Sequence, residues 1–300
     1  MSPSIDIVYL VDTLTLGEIH RPTEVVRCAG GKSLNLARAA RTQGAAVQLT
    51  GLFGGSTGSW LAEELAAAGV TVAAVPADAP TRTCVSIASA ADGSLTEVYE
   101  RAAAVSAETW QAFLARIDQM LVGHPGWLAL SGSMPTGLPP ESVVDLLELG
   151  HDRGVAVAVD THGDGLRAAV TAGPDLIKVN RAEAAAFLAV PADTELAELA
   201  AGLRAAAGGA QVVLTDGAAG ALAHDGTVTS AILPGVHGTY PVGSGDSFMG
   251  GLLTGLDAGH DLAESLRTGM ACGTANALLP GPGRFDPDEV ARLSELVELR

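Results

Sequence analysis

The chain has 300 residues, 48% of them hydrophobic, and sets 17 Lys and Arg against 34 Asp and Glu for a formal net charge of −17. This length is enough for one large α/β domain or two small ones, and the apolar content supplies a core and excludes disorder by composition. So acidic a chain repels a phosphate backbone, which argues against a nucleic-acid partner, although a local cationic pocket can still hold a phosphorylated small molecule. Cys28, Cys84 and Cys272 lie far apart and form neither a disulfide framework nor a CxxC zinc pattern. They read as small buried hydrophobes in a reducing compartment. Residues 1–12 lack a basic start and a long apolar stretch. Residues 119–140 contain no Asp, Glu, Lys or Arg, but four Pro and four Gly argue against a membrane helix. A soluble, cytoplasmic protein with no membrane partner is expected.

Taken in chain order, residues 5–11 and 23–27 are strand-like with no long helix between them. Residues 83–88 and 95–99 flank Asp92-Gly93, a hairpin signal. These four segments are expected to form a small sheet apart from the main domain, a lid built from about residues 5–28 and 82–100. A helix over 34–43, a strand over 47–52 and a helix over 59–68 belong to the main domain. From residue 123 onward short apolar runs alternate with Ala/Leu/Glu-rich helical stretches. The runs are 127–130 (WLAL), 155–159 (VAVAV), 176–179 and 212–214, and the helices are 141–151, 181–188 and 194–207. Nearly continuous apolar runs predict buried parallel strands, and the alternation predicts helices on both faces of the sheet. Ser131, Asp160, Asn180 and Thr215 each follow such a run, at the strand ends where ligands collect. Asp225-Gly226 marks a second hairpin, and helices are expected over 247–256, 262–279 and 287–299.

Four motifs carry candidate chemistry. Gly30-Gly31-Lys32-Ser33 fails as a P-loop, because Val26 stands where the first Gly belongs. What remains is an anion or hydroxyl site at a helix start, or an ordinary glycine turn. Residues 54–58 (GGSTG) match a nucleophile elbow, but no HGGG loop or suitably placed His accompanies them. A tight turn against a ligand or a structural turn fits better. Residues 243–247 (GSGDS) are not a dinucleotide fingerprint, since Phe248 occupies the last glycine position. The turn opens a helix near Ser247, and its unpaired N–H groups converge with partial positive charge. Asp246 is then either a base beside an anion hole, as phosphoryl transfer requires, or a helix cap. Asn180 and Glu183 form N-x-x-E on one helix face, either an oxygen-donor pair for Mg²⁺ or a capping box.

In combination, residues 30–39 (GGKSLNLARA), 131–139 (SGSMPTGLP), 177–183 (IKVNRAE) and 242–247 (VGSGDS) resemble the pfkB carbohydrate kinases of the ribokinase-like superfamily. The likeness is to the 1-phosphofructokinase and tagatose-6-phosphate kinase branch, and it runs from Pro3 to about Leu293. It implies a single kinase domain: a three-layer α/β/α fold with a mostly parallel central sheet and a small β lid. It implies ATP and Mg²⁺, a hexose phosphate as acceptor, and a homodimer through the lid. Asp246 matches the catalytic base, with Gly243, Ser244 and Gly245 as its anion hole. Asn180 and Glu183 match the motif that organises Mg²⁺ and the phosphates. Thr215, Gly217 and Gly220 match the loop along the nucleotide, and Asn276 falls near the adenine. Asp6, Gly31, Lys32, Asn35, Arg82 and Ser131 match the sugar side.

The chain also departs from the family pattern. Family members have a full strand before the early Asp motif, whereas only Met1 and Ser2 precede Pro3 here. This would expose a sheet position and loosen Asp6. Ser33 stands where Gly is usual, Cys84 and Ser86 replace an Asn and a Lys, and Tyr240-Pro241 replaces Asn-Thr at a monovalent-cation position. His162 stands where Ser is common. The lost lysine keeps open a kinase of an unphosphorylated sugar or nucleoside, or a non-catalytic sugar-binding relative.

Overall fold

The computed structural model describes residues 3–124 and 126–300. The chain opens with an antiparallel pair, β1 (Ser4–Val11) and β2 (Glu24–Gly30). Helix α1 (Lys32–Thr42), strand β3 (Gln48–Phe53), helix α2 (Gly55–Ala67) and strand β4 (Thr71–Pro76) follow, with β3 and β4 parallel. Strands β5 (Arg82–Ser89) and β6 (Leu95–Tyr99) rejoin the first pair in a four-stranded sheet of order β2-β1-β5-β6.

The alternation then runs α3 (Ala107–Leu121), β7 (Trp127–Ser131), α4 (Ser142–Asp152), β8 (Ala156–Asp160), α5 (Gly163–Thr171), β9 (Leu176–Asn180), α6 (Arg181–Leu188), α7 (Leu196–Ala206) and β10 (Gln211–Thr215). Strands β7 to β10 are parallel neighbours, as their unbroken apolar runs require: Val157, Val159, Ile177, Val179, Val212 and Leu214 are all fully buried. Beyond β10 the sheet turns antiparallel. The Asp225-Gly226 turn joins β11 (Ala221–His224) to β12 (Val228–Ile232), and the end of the chain adds β13 (Glu298–Leu299) after helices α8 (Ser244–Asp257), α9 (Leu262–Leu278) and α10 (Pro287–Leu296). The outcome is a seven-stranded sheet between two helical layers, α1 with α8 to α10 on one face and α3 to α7 on the other. Each layer has its own apolar core, the first around Phe248, Met249 and Leu266, the second around Trp110, Phe113, Leu146 and Leu199. All three cysteines are buried and unpaired.

One local expectation is corrected. Helix α8 opens at Ser244, three residues before Ser247, so the GSGD residues form its first turn instead of a preceding loop. Of the two readings of the GGSTG segment, its glycines fit the structural turn. Gly54 is the N-cap of α2, and a Cβ there would lie 1.7 Å from the Ala79 carbonyl oxygen.

Strands β3 and β7 are each hydrogen-bonded to a neighbour on one edge only among the described residues. Both border a groove of ≈ 1130 Å³.

Candidate active site

The parallel register sets the strand ends in one row, with Ser131 opposite Asp160 and Thr215 opposite Asn180. The first turn of α8 faces this row. Gly243 is its N-cap with φ of 81°, and a Cβ there would lie 2.5 Å from Pro282 Cβ, so only glycine fits. Ser244 N–H donates to the Pro241 carbonyl, while the amides of Gly245 and Asp246 take no backbone acceptor among the described residues. They are the orphan donors of a helix start, carrying its partial positive charge.

Asp246 lies in that first turn and does not cap it. Its Oδ2 accepts a 2.8 Å hydrogen bond from Asn35 Nδ2 on α1, and both residues are buried, at 7% and 4% exposure. Burial first, and then the nearby Asp160 charge, push the Asp246 carboxyl up to about 7, against the pull of Asn35, Lys178 and Lys32. The carboxylate thus changes protonation near neutral pH, which suits a general base. Asn35 Oδ1 is buried without a partner among the described residues, and so is available to a ligand hydroxyl.

Beneath the turn lies an ion triad. Asp160, fully buried at the end of β8, accepts from Lys32 Nζ and Lys178 Nζ, each at 3.0 Å. Burial alone would raise its carboxyl, but the two lysines outweigh burial and hold it below the ordinary value. Burial lowers Lys32, but Asp160, Glu183 and Asp246 together raise it more, so it stays charged. A Cβ on Gly245 would come within 3.0 Å of Lys178 Nζ, which puts that ammonium directly against the α8 turn. Sequence reasoning missed Lys178. The signal was present, since a lysine inside the apolar run L-I-K-V-N needs a buried counter-charge.

Asn180 and Glu183 form a capping box: Glu183 N–H donates to Asn180 Oδ1 and Asn180 N–H to Glu183 Oε2, both at 2.9 Å. The remaining Glu183 Oε1 lies 4.0 Å from Lys32 Nζ. Among the described residues no group of three or more His, Cys, Asp and Glu could hold a metal. Mg²⁺ asks for less, one or two carboxylates with waters and substrate phosphates, and Glu183 Oε1, the oxygen outside the capping box, is the donor that could serve it. The Asn180 amide oxygen is already engaged as the cap.

On the other side, Asp6 lies on β1 and accepts from Ser4 Oγ at 2.7 Å, with burial raising its carboxyl. A Cβ on Gly30 would sit 2.0 Å from Asp6 Cγ. Glycine is therefore what lets this carboxylate lie against the entry to α1, where Gly31 is the N-cap and Lys32 and Asn35 follow. Arg82 pairs opposite Ser4 and donates to the Glu100 carbonyl at 3.2 Å. Ser131, at the end of β7, accepts from Ser33 Oγ through its carbonyl. Lys32 turns to Asp160 and Glu183, so it sits with the ion triad beneath the α8 turn and not with Arg82.

Thr215 ends β10, and Gly217 opens a short 3-10 turn closed by Gly220, with φ of 111°. A bidentate pair, Arg181 to Asp216 at 2.9 and 2.8 Å, ties that loop to the start of α6. Asn276 has a different part from the one expected. It is fully buried, donates to the Val242 carbonyl and Ser244 Oγ, and accepts from Ser247 Oγ and Gly283 N–H. With both amide atoms engaged inside the protein, Asn276 braces the α8 turn from behind.

A three-layer α/β fold with a buried carboxylate and converging amides at a glycine-capped helix start defines a ribokinase-like carbohydrate kinase. The pfkB family carbohydrate kinase model matches residues 2–289, and the chain belongs to that family. Phosphofructokinase-2 from Escherichia coli, in its tetrameric inhibited form, superposes with a TM-score of 0.89 at 27% identity, covering 98% of this chain and 96% of that one. The same enzyme in complex with fructose-6-phosphate gives 0.89 at 26% identity over the same shares. A possible 1-phosphofructokinase from Thermotoga maritima shares the fold, with a TM-score of 0.88 at 20% identity over 100% of this chain and 97% of that one. Among the described residues no helix is long and apolar enough to cross a membrane.

Proposed function

We propose that the chain transfers the γ-phosphoryl group of ATP to a hydroxyl of a hexose phosphate. The observation that carries this reading is Asp246: a buried carboxylate, titrating near neutrality, beside the free amides of the α8 turn. The sugar lies between Asp6 and Asn35, with Gly31 and Ser131 at its sides and its phosphate toward Arg82. Asp246 takes the proton of the attacking hydroxyl as the new oxygen–phosphorus bond forms and the bond to the leaving ADP breaks. Amides at Gly245 and Asp246 take up charge on the transferred group, with the Lys178 and Lys32 ammonium groups behind them. Glu183 would hold Mg²⁺ through water, and the ion would supply charge neutralisation on the donor phosphates. Thr215, Gly217 and Gly220 carry the nucleotide.

The chain is one kinase domain, and the four-stranded sheet is its lid. Edge strand β6 leaves Leu95, Val98 and Tyr99 exposed, which supports pairing of lids in a homodimer. Buried thiols fit action in a reducing cytoplasm. The test is ADP formation across a panel of hexose phosphates and their unphosphorylated parents. A hexose phosphate is expected to give the highest kcat/KM. Turnover of the parents alone, or binding without ADP, would overturn the reading.

A further inference from the structure

Arg38 reaches two parts of the site from one buried position. It lies on α1, three residues past Asn35, at 6% exposure. Its Nη2 donates to the Ala29 carbonyl and its Nη1 to the Pro282 carbonyl, each at 2.6 Å. Ala29 precedes Gly30, the glycine that admits the Asp6 carboxylate. Pro282 packs on Gly243, the N-cap of α8, and the next residue, Gly283, donates its N–H to Asn276 Oδ1 at 2.7 Å. One guanidinium thus holds backbone on the sugar side and backbone behind the α8 turn. Glu64 of α2 completes a ring, since its carboxylate accepts from Ala29 N–H and from Arg284 Nη2. The loop over 281–284 also rests on α1, where a Cβ on Gly283 would lie 2.9 Å from the Asn35 carbonyl oxygen.

Burial disfavours the Arg38 charge, and the nearby Glu64 charge favours it. An apolar side chain of similar length would fill the same space without that desolvation, so packing alone does not account for an arginine. What arginine adds is a planar fork whose two donors keep a fixed spacing. We propose that Arg38 is a positioning residue for phosphoryl transfer, its fork setting the distance between the β2 end at the sugar and the 281–284 loop that seats the α8 turn. The proposal rests on the kinase reading above. Both terminal nitrogens are engaged by backbone, so Arg38 acts through the groups it holds and not on a reactant. If the loop shifts, Gly243 shifts with it, and the Gly245 and Asp246 amides and the Asp246 carboxylate lose their aim together. A displacement of about 1 Å at such a turn costs on the order of a hundredfold in rate. The nucleotide loop at Thr215 and Gly217 follows β10 and is not part of the ring, so ATP affinity is spared.

The test compares the full chain with Arg38→Lys, which keeps the charge and loses the fork, and Arg38→Met, which loses both. Steady-state kinetics use ATP and the hexose phosphate with the highest kcat/KM in the acceptor panel. Hydrogen exchange is read without substrate at Gly283 N–H and at Ser247 N–H, which donates to the Gly243 carbonyl at 2.9 Å. In both variants kcat is expected to fall about a hundredfold, with KM for ATP within about threefold of the parent's. Exchange at Gly283 and Ser247 is expected to quicken by about tenfold or more in both. A kcat within about threefold of the parent's in either folded variant, or unchanged exchange at those two amides, would overturn the proposal. So would a rise in both KM values with faster exchange along the whole of α1, which marks general loosening. Failure of both variants to fold would make Arg38 a structural brace alone and would overturn it as well. A parent that forms no ADP with any acceptor fails the kinase reading instead, and the exchange comparison, which needs no substrate, then decides whether Arg38 joins the two sides.

Discussion

Asn35 and Asp246 are 211 residues apart in the chain and 2.8 Å apart in the fold, the Asn35 amide donating to a largely buried carboxylate. This bond ties the first turn of α8 to α1, the helix that carries the GGKS motif. It also acts on Asp246 chemically. A donor to the ionised form lowers a carboxyl's pKa, so Asn35 offsets part of the rise imposed by burial.

A pH dependence follows. Because Asp246 works as a base only when ionised, kcat/KM should fall on the acid side with a midpoint near 7. Asn35→Ala removes the donor and should move that limb upward, to higher pH. A pH–rate series on both proteins checks this. An unshifted acid limb in the variant would show that Asn35 does not tune the base.

The Lys32–Asp160–Lys178 triad makes a stability prediction. Asp160→Asn leaves two ammonium groups close together and one of them, Lys178, buried and unpaired. Breaking a buried ion pair from one side costs about 3–5 kcal/mol. Adding Lys178→Met to Asp160→Asn should recover a good part of the loss, since the uncompensated charge is gone. Urea unfolding of the two single variants and the double variant forms the cycle. Strict additivity would mean that the residues are not coupled.

Gly30→Ala tests the sugar side. The new Cβ would overlap the Asp6 carboxyl group, so Asp6 must move. Loss of a positioned hydrogen-bonding partner should raise KM for the sugar by about tenfold or more, at about 1.4 kcal/mol per decade. KM for ATP should stay nearly constant. A parallel rise in both would point to disturbance of α1 as a whole.

Much of this was readable in the chain. Short apolar runs such as VAVAV betray parallel strands because burial on both faces leaves no polar alternation. The residue after each run marks the ligand-bearing edge. The α8 turn was misplaced by three residues because Gly243, Ser244 and Gly245 have poor helix propensity, which the packing of Pro282 and Asn276 overrides. Asn276 was assigned by position near a nucleotide, but four hydrogen bonds hold it inside the protein. Lys178, Asp160 and Lys32 sit in three separate segments, and no local pattern states that their charges meet. Nor does local pattern show that β3 and β7 flank a groove, since strand neighbours are fixed by topology. The capping box at Asn180 and Glu183 was one of two readings of N-x-x-E, and geometry realises it while leaving one Glu183 oxygen facing Lys32.

The role of Asp246 is tested most directly by the purified Asp246→Asn variant, assayed for ADP formation with a hexose phosphate beside the parent protein. Turnover should drop by about two to four decades, as expected for loss of a positioned base, with ATP binding retained. The fold should survive and even gain. The native carboxyl titrates near 7, above its unfolded value, so its ionised form destabilises the parent above pH 7 and the penalty fades as pH falls toward 4. The variant should therefore melt higher than the parent at pH 8, with the gap closing in acid. Turnover equal to the parent's in a folded Asp246→Asn protein would contradict the account.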